Sequence, residues 1–126
     1  MNPLEKTLSQ PFDAVLARVP EALKVEGFGV LTSIDVKDTL KKKIDVDFRR
    51  YTILGACNPK YAHQALSMSL DVGTLLPCNV VVYEDAAGTV VRAVDPLRSI
   101  GALDDDRFLA VAKEVRGKLE RVIASL

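Results

Sequence analysis

The sequence predicts an α+β fold: one mainly antiparallel sheet, its long helices packed on one face, with two short helices inserted between strands. Three observations predict it. Apolar residues recur at helical spacing near both ends, at Phe12, Val15, Leu16, Val19 and Leu23 and again at Phe108, Ala112, Val115, Leu119 and Val122. Short runs rich in β-branched residues, such as 28–34 and 78–84, lie between those helices. The last two such runs flank Asp85-Ala86-Ala87-Gly88, a four-residue loop that makes them a hairpin.

In chain order, residues 4–8 read as a short strand. Pro11 suits the first turn of a helix, where its missing N–H costs nothing, and Asp13 suits the positive end of the dipole. Pro20 should kink or split this helix, and Gly27 should close it at C′. After the strand 28–34, Asp35 can cap a second helix over 36–44, with Lys41, Lys42 and Lys43 at its negative end. Residues 51–57 form the next strand. Asn58-Pro59 then reads as N-cap and N1 of a helix running to about Leu70, with Ala62, Ala65 and Leu66 on one face. A loop over 71–77 leads to the strand 78–84, the hairpin partner 89–94, and a loop or short turn over 97–103. Asp104 or Asp105 caps the last helix. The order is β-α-β-(α)-β-(α)-β-β-α.

Length and composition bound the function classes. A chain of 126 residues, 48% apolar and 27% charged, is long enough for one packed core, and residues 1–126 read as a single domain. Lys plus Arg equals Asp plus Glu at 17 each, so no global charge draws the chain to nucleic acid or anionic lipid. The first residues lack a signal-peptide core, and no apolar stretch approaches the roughly 18 residues of a membrane span. The expected location is the cytoplasm, where two cysteines are thiols rather than a stable disulfide. No phosphate loop, dinucleotide fingerprint or nucleophile elbow occurs. The acidic run Asp104-Asp105-Asp106 reads as helix capping.

The stretch 51–83 holds both cysteines, the single histidine and an internal echo: Leu54-Gly-Ala-Cys57-Asn58 against Leu75-Leu-Pro-Cys78-Asn79. Cys57, Asn58, Cys78 and Asn79 are therefore the candidate ligand-binding residues, and Cys57 and Cys78 the candidate metal ligands. Cys57 lies just before a helix N-terminus, where a thiol ionises more readily. If the two sulfurs meet, a regulatory disulfide, a two-thiolate metal site or ligation of a haem becomes possible. Otherwise each is a small buried hydrophobe. Asn58 has a sufficient role as a cap. Asn79 has none, since asparagine is depleted in strands. His63 falls on the helix face opposite Ala62, Ala65 and Leu66, and C-x5-H is not a zinc spacing. Catalysis with Cys57 as nucleophile would lack a base, so the question of an enzyme stays open.

These residues resemble the small bacterial and archaeal domain-of-unknown-function family 302. The resemblance rests on Gly27-Phe28-Gly29-Val30-Leu31, Ile34-Asp35-Val36, Ile53-Leu54-Gly55-Ala56-Cys57-Asn58-Pro59, Leu75-Leu76-Pro77-Cys78-Asn79-Val80 and Asp95-Pro96. It implies a fold like the TATA-box-binding-protein saddle, β-α-β(4)-α with a curved antiparallel sheet, and it names no activity or cofactor. The saddle is shared by unrelated functions and licenses no DNA-binding expectation.

Two functions follow as expectations. One is a small-ligand or cofactor-binding module, with thiol-based redox or metal or haem sensing at the cysteines. The other is a structural or interaction protein, a homodimer whose cysteines only pack. The homodimer is expected because an open five-stranded sheet leaves two edges. The cluster of Lys41, Lys42, Lys43, Arg49 and Arg50 is not expected to bind DNA specifically. Cys57 and Cys78 are expected to lie close together at one end of the sheet. The helix from Pro59 carries the chain about 18 Å away and the extended loop that follows can return about 23 Å, but length alone does not settle the matter. A helical crossover suggests parallel strands, which would part the two by roughly 20 Å, whereas the hairpin that follows and the antiparallel saddle that the resemblance implies favour the return.

Overall fold

The computed structural model describes residues 3–126. The elements, in chain order, are β1 (Glu5–Leu8), α1 (Phe12–Val25), β2 (Gly29–Asp35), α2 (Val36–Ile44), β3 (Tyr51–Cys57), α3 (Pro59–Met68), β4 (Cys78–Asp85), β5 (Gly88–Ala93) and α4 (Asp106–Ala124), with short 3-10 helices at Leu70–Leu75, Pro96–Arg98 and Ile100–Ala102. The strands form one open curved sheet in the order β1-β5-β4-β3-β2, every pair antiparallel. This is the α+β arrangement expected.

Strand alternation divides the sheet into two faces. Thr52, Leu54 and Ala56 of β3, Val80 and Val82 of β4 and Val91 and Ala93 of β5 are buried against the helices. The stripes Phe12, Val15, Val19 and Leu23 of α1 and Phe108, Ala112, Val115, Leu119 and Val122 of α4 complete that core. The second face carries Tyr51 and Ile53, paired with Tyr83 and Val81, and no helix of the core covers it.

Local chemistry explains the boundaries. At the end of α1, Gly27 has φ +88°; its N–H donates to the Lys24 carbonyl, and the Phe28 N–H donates to the Leu23 carbonyl. This is a Schellman closure with Leu23 and Phe28 both buried. Asp35 caps α2, accepting from the Asp38 N–H at 3.0 Å. Asp105, of the two candidates, caps α4 by accepting from the Arg107 N–H at 2.8 Å.

Several expectations need correction. Of the two outcomes expected at Pro20, a kink or a split, the split does not occur: α1 runs on to Val25, and the buried Val19 and Leu23 hold it through the missing ladder bond. Helix α3 ends at Met68, and most of the expected loop 71–77 is a 3-10 turn that seats Val72 in the core. The hairpin is tighter than four residues. Asp85 and Gly88 still pair, so only Ala86 and Ala87 form the loop. Gly88 makes this possible at φ +137°, where a Cβ would stand 2.2 Å from the Leu8 carbonyl oxygen.

The basic run is locally neutralised. Lys41 pairs with Asp45 at 2.8 Å and Lys42 with Asp38 at 3.0 Å. Arg49 meets Asp85 at 3.5 Å, and Arg50 meets Asp13 while lying over the Phe12 ring. Each pair is exposed and worth little stability, but each sets a carboxylate beside a cation of the run.

Candidate functional site

Strands β3 and β4 are antiparallel neighbours, and Ala56 stands opposite Cys78. Cys57, the last residue of β3, is therefore one step off register from Cys78, the first residue of β4. Cys57, Asn58 and Cys78 line one small cavity of about 30 Å³, walled chiefly by apolar groups including Phe28, Tyr61, Leu76 and Val111. Both cysteines are free and half-buried. The Leu76–Pro77 peptide leading into Cys78 is cis.

Asn79 does not join them. It pairs with Gly55 and is exposed on the opposite face of the sheet from Cys78. Consecutive strand residues face opposite ways, so Cys78 and Asn79 cannot both look into one cavity from within a regular strand. His63 is exposed on α3, away from the thiols.

Asn58 occupies the N-cap position of α3, but its side chain makes no cap bond. Instead its amide Nδ2 donates to the Glu26 carbonyl at 3.2 Å. The expected capping role is thus corrected: Asn58 ties the start of α3 to the closure of α1, and lies so near Gly27 that a Cβ there would be 3.2 Å from Nδ2. Glu26 in turn accepts from Arg121 of α4 at 2.9 Å. Neither Glu26 nor the cavity wall was identifiable from the spacing of the cysteines.

Burial sets the electrostatics of Cys78. Burial, and secondly the charge Cys57 would carry nearby, push the Cys78 thiol up to about 11. Cys78 therefore keeps its proton at neutral pH. Among the described residues, no three or more His, Cys, Asp and Glu gather as metal ligands.

The family model described as "Domain of unknown function DUF302" matches residues 4–126. The chain belongs to the DUF302 family. A solved DUF302 protein, described as an uncharacterized conserved protein from Bacillus stearothermophilus, superposes with a TM-score of 0.88 at 31% identity, over 95% of this chain and 94% of that one. No curated protein matches the chain. Among the described residues no helix is long and apolar enough to cross a membrane.

The raised Cys78 value gives a pH dependence. The folded DUF302 chain holds this proton at a pH where the unfolded chain has released it. Its contribution to stability is therefore complete below the unfolded value and is lost as pH rises through the folded one. The wild type should lose at most about 2–3 kcal/mol from this group between about pH 9 and pH 11. Subtracting the urea stability of Cys78→Ala at each pH isolates the slope; parallel curves would show the thiol unshifted.

Proposed function

We propose that this DUF302 protein is a thiol-based redox module whose working site is the Cys57–Cys78 pair. The observation that supports this reading is that both cysteines of the chain line a single cavity, Cys57 being one register step from Cys78. A disulfide would form when an oxidant arrives and Cys57, the last residue of β3, turns out of the strand's alternation toward Cys78.

The two thiols divide the labour. Cys57, at the head of α3, attacks the O–O bond of a hydroperoxide; its sulfur becomes a sulfenic acid and water (or an alcohol) leaves. Cys78 then attacks that sulfenic sulfur. The S–S bond forms, and the Cys78 proton departs with the sulfenic oxygen as a second water. Two thiols lose two electrons and one peroxide gains them. Cys78, protonated at rest, is the resolving partner and not the first nucleophile.

A haem is disfavoured by size. A volume of about 30 Å³ admits a water-sized occupant, whereas sites for larger ligands run to about 300–1,000 Å³. A single soft two-coordinate ion such as Cu(I) is the ligand that two thiolates alone would suit.

The test is a thiol count after titration with hydrogen peroxide. Both thiols should disappear together and return with a reductant. Cys57→Ser should leave Cys78 reduced. Cys78→Ser should stop at a sulfenic acid trapped by dimedone. Thiols lost independently, or a pair inert to peroxide that oxidises free cysteine, would sink the proposal; inertness combined with stoichiometric Cu(I) uptake would replace it with the metal reading.

A second reading, the homodimer, is favoured by a different observation. Strand β2 is paired on one side only, along seven residues. Light scattering should return twice the chain mass.

A further inference from the structure

The β2–α2 region is under-buried for a folded segment. Six of the seven residues of β2 are exposed, and α2 has no buried residue. Yet α2 is amphipathic, with Val36, Leu40 and Ile44 spaced four apart along one side. A nine-residue helix is marginal without tertiary packing. Five of the chain's exposed large apolar side chains cluster on this region and the segment after it: Leu31 at 68%, Ile34 at 47%, Ile44 at 63%, Val46 at 43% and Phe48 at 39%.

The surface does not stop at those residues. Phe48 packs on the Tyr51 ring at 6.3 Å, and Tyr51 stacks on Tyr83 at 5.2 Å. Ile34 stands opposite Ile53, and Ile53 opposite Val81. The apolar ground thus runs from the β2 edge across the open face of the sheet.

We propose that a second copy of this chain docks on that ground, its β2 pairing antiparallel with β2 across a two-fold axis. The inference rests on the homodimer reading and names its surface. Three observations select a second copy and this edge. First, five large apolar side chains are exposed on and beside this edge, the kind of ground that a stable interface of roughly 800 Å² per partner buries. Second, β2 lacks the devices that protect an edge. Residues 29–34 hold no charge and no proline; the bulge at Leu31 leaves the ladder from Thr32 to Asp35 regular. Third, the charges suit self-pairing. With the axis at Thr32 or Ser33, Asp35 of one copy lies beside Gly29 or Leu31 of the other, and the two carboxylates sit at opposite ends.

The other edge is defended. Strand β1 is four residues long and bears Glu5 and Lys6. Glu5 is paired with Arg92, and Lys6 donates to the Ala124 carbonyl at 3.3 Å. Such an edge is closed to a second strand.

Light scattering on the full chain tests the surface. Wild type should run as a dimer, and Leu31→Lys/Ile34→Lys should run at half that mass with an unchanged far-ultraviolet circular dichroism spectrum, because both side chains are exposed in the single chain; its thermal transition should fall and lose the concentration dependence of the dimer. Thr7→Lys on β1 should remain dimeric. In a separate variant, Ser33→Cys should yield a reducible covalent dimer. A double variant that stays dimeric, without a Ser33→Cys cross-link, overturns the surface while the homodimer reading stands. A monomeric wild type overturns both, and would leave the ground to a different partner.

Discussion

Gly88→Ala is expected to lose roughly 3–5 kcal/mol of stability, combining backbone strain and overpacking. Two costs add at this residue. The backbone sits at φ +137°, which an L side chain rarely adopts, and the new methyl would stand 2.2 Å from the Leu8 carbonyl oxygen and 3.2 Å from its carbonyl carbon. That obstacle is backbone, held by the pairing of Leu8 with Thr89, so no side-chain rotation relieves it. The variant must open the β1–β5 ladder or the hairpin. A urea midpoint well below wild type would record it. Gly29→Ala is the matched control: nothing lies within 4 Å of its Cβ position, and a change within about 0.5 kcal/mol is expected. A Gly88→Ala variant as stable as Gly29→Ala would show that β1 approaches less closely.

Arg116→Ala is expected to cost roughly 3–5 kcal/mol, the usual range for breaking a buried ion pair. Arg116 is a buried charged residue of α4, at 8% exposure. Its Nε donates to Asp95 at 3.2 Å, and another guanidinium nitrogen pairs with Glu120 one turn on. Asp95 also accepts from the Leu97 N–H at 2.9 Å and so caps the turn after β5. Removing the guanidinium leaves two largely buried carboxylates facing each other's field without their cation, and removes the packing of the arginine stem. Arg121→Ala supplies the contrast, since that arginine is mostly exposed in its pair with Glu26; it should cost at most about 1 kcal/mol. Equal losses in the two variants would mean that Asp95 and Glu120 are solvated.

The fold was legible because its signals are local. The Gly27 closure, the Asp35 cap and the alternation of Val80 and Val82 depend on neighbours within a turn or a strand step. The candidate site was legible in part. The strand ends put Cys57 and Cys78 on one cavity; chain order with its helical crossover would have suggested parallel strands, and the hairpin together with the family's antiparallel saddle supplied the expectation. The separation of Asn79 was also available, because it follows Cys78 within one strand; the repeated L-x-x-C-N masked that parity. What was not legible came from distant groups. Asn58 abandons its cap for the Glu26 carbonyl, contributed by a turn far upstream, and no local pattern announces that competition. Arg116 reads as an ordinary polar residue until the turn at Asp95 folds over it.

The position of β1 carries a consequence for how the chain folds. Strands β2, β3, β4 and β5 are neighbours in sequence order, whereas Glu5 must find Arg92 near the other end of the chain. The meander is joined by the tight β4–β5 hairpin and by connections through α2 and α3, but β1 waits on the largest loop closure in the sheet. Its four residues are also the shortest ladder. In native-state hydrogen exchange the β1 amides should therefore open in a smaller, separate unit, ahead of the β3–β4 ladder that carries the cysteines. The thiol site would keep its protection while the opposite edge of the sheet breathes.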